Sequence, residues 1–261
     1  GGMGYVLAVR HVELDELFAL KLLSNDALRN ADAVARFVRE ARAAARLKSE
    51  HVARVVDVGH FEDGAVYIVM EHLQGRDLGE ELRERGPLPV EEAITYVLQA
   101  CDAISEVHAE GYVHRDIKPG NLFLTHRPNG RPCIKVLDFG IAKHLESDDP
   151  DLTMTGVMLG SPRYMSPEQM RRTRTVDARS DVWSMGVVLF KLLTNTLPFR
   201  GESVPEVISS VLFDAPLSLS SLRPGLPIDL DSFFASALEK EPDLRFQTID
   251  ELAQALSLLR D

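Results

Sequence analysis

The sequence predicts an α+β fold in two lobes, a small antiparallel sheet carrying one helix and then a larger, mostly helical lobe. Three observations predict it. Compact apolar runs at Leu17–Leu23 and at residues 55–59 and 65–70 read as strands. A stretch rich in Ala, Arg and Glu at 31–48 lies among them and reads as a helix. From Pro89 onward the apolar residues recur at helical spacing.

Each element has a local reason. Asp63-Gly64 separates the second and third strand runs and signals a hairpin turn. The composition shifts from strand-like to helix-like at Gln74-Gly75, which sets the expected lobe boundary, 1–73 against 74–261. Pro89 opens a helix with Ile94, Val97, Cys101, Ile104 and Val107 on one stripe, and Gly111 closes it. Residues 177–193 form another helix around Trp183, and 233–238 and 249–259 read as two more. Residues 146–167 lack periodicity and are rich in Ser, Thr, Gly and Asp, so they read as a long functional loop.

The 261 residues are 45% hydrophobic and 26% charged, which is ordinary for a folded chain. The net charge of -11 repels phosphate backbones and argues against nucleic acid as a partner. Cys101 and Cys133 are too few for a disulfide framework and lack metal-ligand spacing, so they read as thiols in a reducing cytoplasm. The most apolar stretch, 187–193, is short and broken by Lys191, so no membrane span is expected here; an anchor would lie in a flank.

The strongest chemical signal is His114-Arg115-Asp116-Ile117-Lys118-Pro119-Gly120-Asn121, followed by Asp138-Phe139-Gly140. Phosphoryl transfer needs positioning and charge neutralisation more than covalent help. Asp116 is the candidate acceptor of the attacking hydroxyl's proton, and Lys118 puts a positive charge beside the transferring phosphate. Asn121 and Asp138 are candidate oxygen ligands for Mg²⁺. Upstream, Gly1, Gly2 and Gly4 leave backbone N–H groups open to phosphate. Lys21 sits inside an apolar strand, where a charge is costly unless paired, and Glu40 on the following helix is its expected partner.

With these motifs the chain resembles the eukaryotic-like Ser/Thr protein kinases of bacteria over essentially its whole length. The resemblance rests further on Tyr67-Ile68-Val69-Met70-Glu71 and on the run from Gly160 through Ser161, Pro162 and Tyr164 to Pro167-Glu168-Gln169. It implies a two-lobed protein-kinase-like fold with ATP in the cleft and Mg²⁺ as cofactor. Met70 would be the gatekeeper, Glu71 to Leu73 the hinge that reads adenine, and Val6, Ala19 and Phe123 the walls around the ring. Glu168 would pair with Arg245, and Asp181 would fix the catalytic-loop backbone. Thr153 and Thr155 would carry activating phosphates bound by Arg115 and Lys143. The implied partners are proteins offering Ser or Thr, and a second copy of the chain for phosphorylation in trans.

The chain also departs from the pattern. The resemblance implies a strand and a first loop glycine before Gly1, so the upper sheet and phosphate lid are expected to be incomplete, with weaker ATP binding than in a chain extended upstream. Ser161 replaces a more usual threonine, and Phe123 is bulkier than the usual residue below adenine. The main competing reading is a pseudokinase serving as a binding module. Against it stand Lys21, Asp116, Asn121 and Asp138, all present. A small-molecule kinase would lack the Ser166-Pro167-Glu168 platform and its Arg245 partner. A tyrosine kinase would typically differ at Lys118.

Overall fold

The computed structural model describes residues 4–138, 162–171 and 176–259. Gly1, Gly2, Phe139, Gly140, Lys143, Thr153, Thr155 and Ser161 lie outside the described residues.

The upper part is an antiparallel sheet built from β1 (Gly4–Arg10), β2 (Leu17–Leu23), β3 (Val55–His60) and β4 (Val66–Glu71), in the order β1-β2-β4-β3. After β2 come a short turn of helix, α1 (Asn25–Leu28), and then α2 (Ala31–Ala44). Asn30 caps α2 by accepting the N–H groups of Asp32 and Ala33. Phe37 and Ala41 on α2 bury against Leu23, Val66 and Ile68 of the sheet, forming a small core of their own.

Two expectations are corrected in this part. Gly4 belongs to a strand, not to a free loop: it pairs with Leu23, and a Cβ there would meet the Leu22 carbonyl oxygen at 2.0 Å, so only glycine lets the hairpin close. Helix α2 ends at Ala44, four residues short of the expected Lys48. Tertiary capture explains the early stop, because the N–H groups of Lys48 and Ser49 donate at 2.8 and 2.7 Å to the Glu106 carboxylate of the helix below.

The chain then descends. β5 (Arg76–Asp77) leads into α3 (Leu78–Arg85) and the long α4 (Val90–Ala109). Gly75, with φ of 146°, lets the backbone run against the Leu124 carbonyl oxygen, which a Cβ would meet at 2.0 Å. β6 (Leu122–His126) and β7 (Pro132–Val136) pair antiparallel and complete a second sheet, β5-β6-β7. α5 (Pro167–Met170), α6 (Arg179–Thr194), α7 (Val204–Phe213), α8 (Leu219–Leu222), α9 (Asp229–Ala237) and α10 (Ile249–Ser257) follow. β1, β5, β6, β7 and the helices α1, α3, α5, α7 and α8 escaped the sequence reading, most of them runs too short to carry a clear period. Helix α6 is buried on every side, with Val182, Trp183, Met185 and residues 187–190 at 0% exposure. It is the axis of the large core, with α4, α9 and α10 packed on it.

Candidate active site

The site forms where the two sheets meet. A cavity of about 280 Å³ is lined by Val6, Ala8 and Ala19 from β1 and β2, by Met70 to Leu73 at the end of β4 and just beyond it, and by Phe123 and Leu137 from below. Lys21, Glu40 and Asp138 line its polar side. The apolar walls suit a flat ring, and the charged edge suits its phosphates. The cavity also uses residues that sequence reasoning did not assign to it, among them Ala53, Val55 and Leu137. These three are small or apolar residues without chemistry of their own, so only their position marks them.

Lys21 projects from the middle of β2, and its Nζ bonds Asp138 Oδ1 at 2.6 Å. The sequence named both residues but proposed Glu40 as the partner of Lys21. Glu40 lines the same cavity from α2.

Below, the loop after α4 gathers the second cluster. Lys118 Nζ donates to Asp116 Oδ2 at 2.8 Å. Asn121 Nδ2 donates to the Asp116 carbonyl at 2.8 Å and to its carboxylate at 3.2 Å. With its amide nitrogen so engaged, Asn121 keeps Oδ1 as an oxygen donor. Asp138, bonded to Lys21 through Oδ1, keeps Oδ2. Two hard oxygens from the protein, with phosphate oxygens and water completing the shell, fit Mg²⁺. Among the described residues no three His, Cys, Asp or Glu side chains form a self-sufficient metal cage.

The loop is held from below. The fully buried Asp181 of α6 accepts the N–H groups of His114 and Arg115, both at 2.8 Å, and contacts His108 Nε2 at 2.8 Å. Its carboxylate fixes the backbone that presents Asp116. Arg115 and Asp138 both adopt positive φ, 63° and 50°, which costs L-residues energy and persists where surrounding contacts impose it. Burial draws the Arg115 guanidinium below its ordinary pKa, while Asp181 opposes the shift. Nη2 of Arg115 reaches the Val176 carbonyl, and its buried Nε has no partner among the described residues.

The segment that begins at Ser166 docks onto the same machinery. Ser166 caps α5, Gln169 Nε2 donates to the Arg115 carbonyl at 3.2 Å, and Glu168 meets Arg245. Lys21 with Asp138, Asp116 with Lys118 and Asn121, and the segment from Ser166 to Gln169 are thus brought together from parts far apart in the chain.

The family model for the protein kinase domain matches residues 1–255. The chain belongs to the protein kinase family. This kinase domain is 40% identical to the serine/threonine-protein kinase pkn3 of Myxococcus xanthus, over 93% of the chain and 45% of that relative. It is 38% identical to the serine/threonine-protein kinase PknB of Mycobacterium leprae, over 97% of the chain and 40% of that relative. The domain therefore spans less than half the length of these relatives. The crystal structure of the Mycobacterium tuberculosis PknI kinase domain superposes with a TM-score of 0.76 at 30% identity, covering 99% of this chain and 91% of that one. The two-lobed protein kinase fold and the resemblance to bacterial serine/threonine kinases hold. ATP and Mg²⁺ use and protein substrates are general to the family. No helix among the described residues is long and apolar enough to cross a membrane.

Proposed function

We propose that this domain transfers the γ-phosphate of ATP to serine or threonine hydroxyls of proteins. The observation that carries the reading is the convergence of Lys118 and Asn121 on the carboxylate of Asp116 at 2.8 and 3.2 Å, beside a cavity that holds the Lys21–Asp138 pair. Adenine lies between Val6, Ala19 and Phe123, and the backbone from Glu71 to Leu73 reads its edge. Lys21, positioned by Glu40 and Asp138, grips the phosphates, and Gly1 and Gly2 cover them. Asn121 and Asp138 hold the metal, whose charge offsets that of the phosphate oxygens. Asp116 orients the acceptor hydroxyl and takes its proton, while Lys118 stays beside the transferred group. Two joined lobes, 1–73 and 74–261, enclose this cleft.

Autophosphorylation of Thr153 and Thr155 by a second copy of the chain belongs to the same proposal. The Nε of Arg115, without a partner among the described residues, supports a phosphate-binding role for that side chain. The buried thiols fit a reducing cytoplasm. The test is transfer of labelled γ-phosphate from Mg-ATP to a basic protein and to the chain itself, beside Asp116→Asn. Transfer that disappears in the variant, with phosphoserine or phosphothreonine after acid hydrolysis, supports the reading. Absence of transfer also from a chain extended upstream of Gly1 favours a pseudokinase binding module.

A further inference from the structure

Glu71, the first of the three residues proposed to read adenine, is held by its side chain as well as by its backbone. It ends β4, and its backbone N–H donates to the Arg54 carbonyl at 3.0 Å. Its carboxylate turns to the same residue, with Oε1 accepting the Arg54 N–H at 2.8 Å. The same oxygen accepts from Lys135 Nζ, also at 2.8 Å. Lys135 Nζ further reaches the Val52 carbonyl at 3.3 Å.

Lys135 comes from the other sheet. It lies on β7 directly opposite Phe123 of β6, and cross-strand partners share a face of their sheet. Lys135 therefore stands beside the side chain that the kinase reading places below adenine. Its neighbour Val136 straps the same segment down, donating to the His51 carbonyl at 2.7 Å and accepting the Ala53 N–H at 3.2 Å. Glu71 and Phe123 both line the cavity, so one cation joins the strand pair beneath it to the residue at its edge.

The setting gives the pair weight. Side-chain exposures of 14% for Lys135 and 24% for Glu71 leave it largely shielded from water and salt. A shielded carboxylate stripped of its cation draws in water or swings outward, and either movement disturbs the backbone that carries it. For Glu71 that backbone faces the adenine edge, and hydrogen bonds weaken steeply once their geometry is lost.

We propose that Lys135 is a positioning residue for adenine: through Glu71 it sets the spacing between the hinge and the floor, and so fixes nucleotide affinity without touching the nucleotide. This rests on the adenine site of the kinase reading and deepens it. Lys21, Asp116, Lys118 and Asn121 serve the reacting end, so the chemical step should not depend on Lys135.

The test measures adenosine and ATP binding by titration calorimetry, together with kcat and the KM for ATP, in the wild-type domain and in Lys135→Met, Lys135→Arg and Glu71→Gln. Lys135→Met should weaken adenosine and ATP alike by about tenfold, the size of one hydrogen bond to a charged group, and raise the KM for ATP to match while kcat at saturating ATP is kept. Lys135→Arg, which keeps the cation, should recover most of the affinity. Lys21→Met gives the contrasting pattern, with ATP weakened more than adenosine. Adenosine bound by Lys135→Met as tightly as by the wild type overturns the inference and leaves the kinase reading intact. So does a fall in kcat with KM unchanged, or an equal loss in Lys135→Arg. Where Lys135→Met melts below the assay temperature, Glu71→Gln carries the test, because it removes the charge yet leaves an oxygen to accept the Arg54 N–H. Adenosine binding that weakens in the variants when the wild type shows no transfer upholds the positioning role and sinks only the transfer reaction. A wild type that binds neither adenosine nor ATP sinks both.

Discussion

Arg245 grips Glu168 through two parallel hydrogen bonds, Nη1 to Oε1 at 2.8 Å and Nη2 to Oε2 at 2.7 Å. Both side chains are buried, and the remaining Arg245 donors reach the carbonyls of Arg179, Glu239 and Lys240. A buried ion pair is costly to assemble and costlier to break, because removing one partner strands the other charge. Arg245→Ala should therefore destabilise the domain by about 3–5 kcal/mol. The double change Arg245→Met with Glu168→Leu should cost less than either single truncation. Denaturant melts of the three variants check both statements.

Lys21 to Asp138 is a different kind of pair. Asp138 is half-exposed at 53%, so the contact adds little to stability. Lys21→Met should leave the melting temperature close to wild type and lower phosphate transfer about a hundredfold or more, since the cation meets charge on the transferring group. Transfer rates at saturating ATP, set beside a melt, read the two effects separately.

Lys240 lies 3.8 Å from the Phe199 ring centroid and 5.2 Å from that of Trp183, with its amine on the Val211 carbonyl. Burial lowers its pKa from 10.5 to about 8, while the aromatic faces favour the charged form and work against that shift. A folded-state pKa below the unfolded one means that the unfolded chain binds more protons between the two values. Stability from this group should thus rise as pH climbs from about 8 toward 10.5, and its penalty is fully present below 8. Lys240→Met should flatten that part of the stability–pH curve. Melts across the range, compared between the two proteins, check it.

Glu106 of α4 holds the N–H groups of Lys48 and Ser49, and one turn earlier Asp102 accepts Ser49 Oγ at 3.1 Å. These contacts fasten the segment after α2 to the lower lobe. Glu106→Ala should speed hydrogen exchange at the Lys48 and Ser49 amides and loosen the end of α2, leaving the amides of α6 unchanged. Exchange followed by mass spectrometry reads this directly.

The sequence by itself determined the chemistry. Asp116, Lys118, Asn121 and Asp138 sit in short motifs whose spacing already confines them to one loop and its neighbour, and Lys21 stands out because a charge interrupts an apolar strand. The longer helices were legible for a related reason, since apolar residues recurring over many turns leave a strong pattern. Tertiary structure decided what short segments cannot encode. It made a strand of Gly4–Arg10 by pairing it with β2, and it ended α2 at Ala44 by placing Glu106 beneath the next amides. It also brought Lys21 to Asp138 across 117 positions of chain, and Glu168 to Arg245 across 77. Such contacts depend on how whole elements pack, and packing responds to the sum of many weak apolar contacts rather than to any local pattern of residues.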